Sequence, residues 1–197
     1  MDFFIMPGDA PGLSVGKIDD KMGLRAKQTG EILLKDVRVP AENVLGKPGT
    51  GFLLAMQILD VSRPMVSVNA IGVARAAYEA ALDFTRKRHQ FGRPLFANQA
   101  VAFALADMAT AIDAGRLLIW CACDMIDHNL EYTKEASMAK LFASEAAVDI
   151  CSKAMHLMRA AGYTRDLPVE KYLRDAKALT VLEGTSEVQR HIISGQL

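Results

Sequence analysis

The sequence has no surplus of either charge, because 23 Lys and Arg residues balance 23 Asp and Glu. Without a net field there is no electrostatic drive toward nucleic acid or an anionic membrane surface, and neither is expected as a partner. Cysteine is scarce: Cys121, Cys123 and Cys151 are an odd set without metal-type spacing. Cys121 and Cys123 leave a helix on different sides, which disfavours a redox pair, and a reduced, cytoplasmic setting is the expectation. His89, His128, His156 and His191 form no i, i+4 pair with a carboxylate as third ligand, so no metal is expected. Residues 1–7 lack a basic start and a long apolar run, and no window is read as a signal peptide or a membrane span. There is also no glycine-rich phosphate loop between a strand and a helix, and no serine nucleophile elbow.

What is present is apolar material in helical register, making up 51% of the residues with tyrosine and cysteine counted in. That is enough to bury a sizeable core. Up to residue 48, glycine and proline punctuate short apolar runs, and residues 31–39 alternate as a strand ending at Pro40. From residue 49 the character changes. Residues 52–87, 98–128 and 133–161 carry apolar side chains at helical spacing, and Asn98 and Thr133 suit helix N-caps. Pro64 predicts a kink or a fresh turn after Arg63. A fourth helix is broken: residues 169–179, a hinge at Glu183-Gly184, then residues 186–194. Small faces such as Ala70, Ala74, Ala77 and Ala81 allow close helix approach. The expectation is a mainly α chain, with residues 49–197 a four-helix bundle and residues 1–48 a short, partial β segment before it.

The hinge is where chemistry is expected. In Leu182-Glu183-Gly184-Thr185-Ser186-Glu187-Val188-Gln189-Arg190, Ser186 and Gln189 read as a capping box, which puts one carboxylate on a glycine turn before a helix start. A carboxylate at the end of an apolar stretch can be partly desolvated and tuned as a base, while free helix N–H groups can stabilise a developing oxyanion. By spacing alone an ordinary turn glutamate fits as well. Asp60 with Arg63 reads equally as a helix-surface ion pair, the stretch Arg88-His89-Gln90-Phe91 as a polar interhelical loop, and Thr185 and Ser186 as caps.

Five stretches, in order, resemble the acyl-CoA dehydrogenase family. They are Asp19-Asp20-Lys21-Met22-Gly23-Leu24-Arg25, Val37-Arg38-Val39-Pro40-Ala41-Glu42-Asn43-Val44-Leu45-Gly46, Arg88-His89-Gln90-Phe91-Gly92-Arg93-Pro94-Leu95, the run from Pro168 through Lys177, and the hinge itself. The resemblance covers essentially the whole chain. It implies FAD as cofactor, an acyl-CoA thioester as substrate and Glu183 as the base that abstracts the α-proton. A subset of the family holds its base instead just before the arginine of a segment like Asp60-Val61-Ser62-Arg63-Pro64. Here that position is Ser62, which cannot serve as a carboxylate. By the same resemblance Asp60, Arg63 and Gly184 contact the substrate. Arg88, Gln90 and Phe91 hold the diphosphate and adenosine end of FAD in a neighbouring subunit, and Gln99, Thr185, Ser186 and Glu187 lie near the flavin. An electron-transfer flavoprotein as acceptor and a homo-oligomer, dimer or tetramer, are implied as partners.

The chain also departs from the family pattern. Where the family has a glutamine, two apolar residues and a glycine pair, it reads His156-Leu157-Met158-Arg159-Ala160. If that corner needs positive φ, the side chain costs roughly 1–2 kcal/mol and disturbs the flavin wall. The family's N-terminal helical domain and first β-strands have no counterpart, so activity is expected to need a complementary N-terminal half. The other expectation is a non-catalytic module whose helices serve as an oligomerisation or interaction surface; flavin oxidases are a variant of the enzymatic reading.

Overall fold

The computed structural model describes residues 1–197. Two compact units divide the chain, Met1–Leu59 and Asp60–Leu197. In the first, β1 (Phe3–Phe4) pairs antiparallel with β4 (Val44–Leu45), and β2 (Leu13–Ile18) with β3 (Gly30–Leu34). The β2–β3 register runs Leu13 opposite Leu34 to Ile18 opposite Gly30, with a bulge between Val15 and Ile18. Strand β3 is shorter than the expected residues 31–39. Asp36 takes φ 53° and turns the chain out of the ladder, so the alternation beyond it has no strand to join. Each of the sheets in this unit is two-stranded, and Val15, Ile18, Ile32, Leu33 and Leu34 are exposed.

Helices dominate the rest: α1 (Gly51–Lys87), α2 (Gln99–Asp127), α3 (Thr133–Met158), α4 (Ala160–Tyr163), α5 (Val169–Leu179) and α6 (Ser186–Ser194). The expected bundle is present, with α5 and α6 as its broken fourth member. Helix α3 is central, packed by α2, α5 and α6. Its buried residues, Ala136, Ala139, Ala143, Ala147, Ile150 and Ala154, recur every three or four positions, so backbones approach closely. Helix α1 contributes the fully buried Ala70, Ala74, Ala77 and Ala81. At Gly115 of α2 an added Cβ would lie 2.4 Å from Ile71 Cδ1 of α1, so any larger residue there would have to push the Ile71 side chain aside.

Helix α1 is a single element that contains Pro64. One capping expectation is corrected and one is met in position only. Thr133 is not a cap: Tyr132 precedes the helix, and the Thr133 hydroxyl donates to Asp60 Oδ2 at 2.8 Å. Asn98 does precede α2 but makes no capping bond, because its Oδ1 accepts from Arg93 Nη2 at 2.7 Å and its Nδ2 donates to Leu95 O at 3.0 Å. Helix α1 also contains an 18-residue window of mean hydropathy 1.2, long and apolar enough by composition to cross a membrane. In the bundle one face of α1 is buried alanine, while Met65 and Val68 are exposed. Between α1 and α2, β5 (His89–Gln90) and β6 (Arg93–Pro94) form a hairpin. Phe91 (φ 53°) and Gly92 (φ 76°) make its two-residue turn, the type I′ geometry that suits strand twist.

Candidate functional site

The break between α5 and α6 is built by backbone geometry. After α5 the N–H groups of Val181 and Leu182 both donate to Ala178 O, at 3.0 Å each. Glu183 then takes φ 56° and Gly184 φ 95°, two successive left-handed residues that reverse the chain. The cap of α6 is Thr185, one residue before the expected Ser186, and its Oγ1 accepts from Val188 N at 3.4 Å. Ser186 is buried inside the first turn. Gln189 does not complete a capping box either: its Nε2 donates to Glu183 O at 3.1 Å and to Gly184 O at 3.2 Å.

Helix α1 supplies the opposite wall. Ser62 Oγ donates to Glu183 Oε2 at 2.7 Å, joining residues 121 apart in sequence. Two residues earlier on α1, Asp60 accepts from both Arg63 Nη1 and the Thr133 hydroxyl. The Arg63–Asp60 pair is therefore no surface ion pair, since Arg63 is only 3% exposed. Its Nε is buried with no hydrogen-bond partner, a donor directed at nothing in the chain. Lys140 of α3 completes the cluster with Nζ donating to Gly184 O at 2.6 Å. Burial, and then the Arg63 guanidinium, push its ammonium down to about 8, against the pull of Glu145, Glu183 and Glu187.

Thr185, Ser186 and Glu187 border a small polar hollow shared with Lys177 and Thr180. The Glu187 carboxyl is held below its ordinary value, first by its own backbone N–H and then by the Thr185 hydroxyl. Arg88, Gln90 and Phe91 line a different place, a groove of about 760 Å³ walled by Phe84, Met158 and Arg159. Gln99 is exposed at the start of α2 and is not part of that wall. Phe91 is 98% exposed, an aromatic ring held at positive φ on a hairpin tip with nothing of this chain over it. The corner flagged in the sequence does require the unusual conformation: Arg159 has φ 56° and ψ −136°, a region that favours glycine. Its Nη1 meets His156 Nε2 at 3.1 Å.

The groove suits a diphosphate joined to a planar ring. Arg88 and Arg159 offer forked guanidinium donors, Gln90 a hydrogen-bonding amide, and Phe84, Phe91 and Met158 an apolar surface. This donor set fits one end of FAD. Cys151 is no rival nucleophile, since burial, with Asp175 nearby, pushes its thiol up to about 12. Lys140 was not singled out by sequence, and Gln189 only as half of a capping box. The available signal for Lys140 was its register, since it falls on the same helical stripe as Ala136, Ala143 and Ala147 and is therefore forced inward.

A family model, "Acyl-CoA dehydrogenase, C-terminal domain", matches residues 49–197. The rat short-chain specific acyl-CoA dehydrogenase, mitochondrial, is 45% identical over 98% of this chain and 47% of its own length. A cyclohexane-1-carbonyl-CoA dehydrogenase of Geobacter metallireducens is 45% identical over 100% of this chain and 52% of its own length. The solved butyryl-CoA dehydrogenase of Megasphaera elsdenii superposes with a TM-score of 0.97 at 39% identity, covering 99% of this chain and 51% of that one. The chain thus spans about half the length of the relatives it matches.

Proposed function

The chain belongs to the acyl-CoA dehydrogenase family, and from that premise we propose that Glu183 is the base of an α,β-dehydrogenation of an acyl-CoA thioester to its trans-2-enoyl product. One observation carries this reading. Ser62, at the position where some family members keep their base, donates to the Glu183 carboxylate at 2.7 Å. Both base positions therefore face one space, and only Glu183 brings a carboxylate to it. A Glu183 oxygen takes the proton from the carbon next to the thioester while the Ser62 hydroxyl holds the carboxylate in its rotamer. Asp60 and the partnerless Nε of Arg63 contact the CoA portion, and the backbone at Gly184 approaches the thioester. When bound, FAD supplies the acceptor for the hydride that leaves the β-carbon. Thr185, Ser186, Glu187 and Gln99 border the flavin end.

Arg88, Gln90 and Phe91 hold the diphosphate and adenosine end. They line a groove that does not include Glu183, which supports contribution of the two clusters to sites on different subunits of a homo-oligomer. Phe52, Leu53, Trp120 and Leu117 are exposed and give such an assembly its apolar contacts. Sedimentation should show self-association at micromolar concentration; a well-behaved monomer would contradict it. An electron-transfer flavoprotein is the proposed acceptor. The relatives named for short-chain, butyryl and cyclohexane-1-carbonyl substrates support a short or compact acyl group.

By themselves the 197 residues are proposed to be an incomplete site, colourless when purified and active only with an N-terminal half supplied. The relatives they match are about twice as long, and each 1.4 kcal/mol or so of contact that the remaining half of such a relative would add to the cofactor is tenfold in affinity. The exposed apolar faces favour a second reading, a non-catalytic assembly module. The visible spectrum separates them. Flavin absorbance that appears on complementation, and bleaches on adding acyl-CoA, supports the enzyme; its absence supports the module.

A further inference from the structure

The hinge carbonyls converge on two side chains from different helices. Lys140 Nζ donates to Gly184 O at 2.6 Å, while Gln189 Nε2 donates to Glu183 O at 3.1 Å and Gly184 O at 3.2 Å. Both side chains are fully buried. We propose that Lys140 and Gln189 are positioning residues for Glu183: from α3 and α6 they clamp the two carbonyls of the hinge and so fix the direction of the carboxylate, an inference that rests on Glu183 being the base.

Three observations converge on this. Glu183 is a non-glycine residue at φ 56°, a conformation that persists only where the surroundings over-determine it. The clamp is fitted without slack, because a Cβ on Gly184 would lie 2.8 Å from Gln189 Nε2. A buried lysine is also a poor choice for stability alone. An ammonium taken out of water is costly, and a methionine of similar length would fill the space without that cost. Burial and Arg63 lower Lys140 to about 8, with Glu145, Glu183 and Glu187 raising it. Near pH 7 it therefore remains an ammonium and a strong donor to Gly184 O. Gln189 spends its amide the same way: Nε2 reaches both carbonyls and its buried Oε1 has no partner.

The clamp makes a demand that ordinary core residues do not. Removing it should loosen the hinge and slow turnover without unfolding the bundle or weakening substrate binding. Lys140→Met and Gln189→Met are compared with the parent chain by NMR relaxation of the Glu183 and Gly184 amides. Order parameters should fall from about 0.85 to below about 0.6 at the hinge, with α3 and α6 unchanged. In a complete flavoenzyme carrying these residues, kcat should drop by about 10- to 100-fold with KM within about twofold, as for a slightly misplaced catalytic group. If Lys140→Met does not fold, Gln189→Met alone decides. A rigid hinge in a folded variant overturns the proposal. So does a loosened hinge with normal kcat in an enzyme that Glu183→Gln inactivates. If the hinge loosens but neither the clamp variants nor Glu183→Gln affects turnover, the clamp stands and the assignment of the base fails.

Discussion

Two corners of the helical unit hold charged residues at nearly the same positive φ, and they are held in opposite ways. Glu183, at φ 56°, has its carbonyl and that of Gly184 tied to buried side chains from two helices. Arg159, also at φ 56°, is exposed, and its guanidinium meets His156 Nε2 at 3.1 Å on the same turn. Strain of similar kind is thus enforced in one place and tolerated in the other. The difference teaches that positive φ alone does not mark a site; a buried network that prevents relaxation does.

The comparison breaks most visibly at Glu183 itself. In a complete flavoenzyme carrying these residues, Glu183→Gln keeps the shape and removes the base, so turnover should fall by about 100- to 10,000-fold with ligand binding retained. Ser62→Glu in that background returns a carboxylate to the same space, and steady-state kinetics should show part of the loss recovered.

Gly184→Ala tests the clamp's tightness. Alanine at φ 95° is strained, and its Cβ would press on the buried Gln189 amide, so about 2 kcal/mol of stability should be lost in denaturant unfolding.

Lys140 gives the hinge a pH signature. Its folded value of about 8 lies below the ordinary 10.5, so between those values the unfolded chain binds more protons than the folded one. The Lys140 contribution to stability should therefore rise as pH increases from about 8 to about 10.5, by on the order of 1–3 kcal/mol. Cys151, raised to about 12, acts in the opposite direction above about pH 9, so the rise is read as the difference between the parent and Lys140→Met. The cost of the buried charge is fully present below pH 8. The difference between parent and Lys140→Met unfolding midpoints should therefore move in the parent's favour across that range.

The loosely held corner should respond with the opposite sign. Arg159→Gly relieves the backbone at a modest entropic cost and should stabilise the chain by about 0.5–1 kcal/mol, a shift of a few degrees in Tm.

Much of this was legible in the sequence, for identifiable reasons. The bundle follows from long stretches of helical spacing, and the expected limits of the last two helices agree with Val169–Leu179 and Ser186–Ser194. The requirement for positive φ at Arg159 was readable from the replaced glycine pair. The strand expected over residues 31–39 stops at Leu34 because Asp36 turns, and alternation says nothing about a turn of that kind. The cap fell on Thr185 rather than Ser186 because both can cap, and tertiary packing buries the second. Ser62 meeting Glu183 across 121 positions, and Lys140 meeting Gly184 across 44, are properties of the folded bundle alone. The residues from Met1 to Leu59 contrast with the helical unit, because their two-stranded sheets leave apolar side chains exposed.

The most direct measurement concerns the proton. Solvent deuterium exchange into the α-carbon of a bound acyl-CoA, followed by NMR in a complete flavoenzyme carrying these residues, reports the base without depending on electron transfer. Exchange should be catalysed by the parent enzyme and lost in Glu183→Gln while the ligand stays bound. Exchange at the parent rate in Glu183→Gln would contradict the assignment of Glu183 as the base.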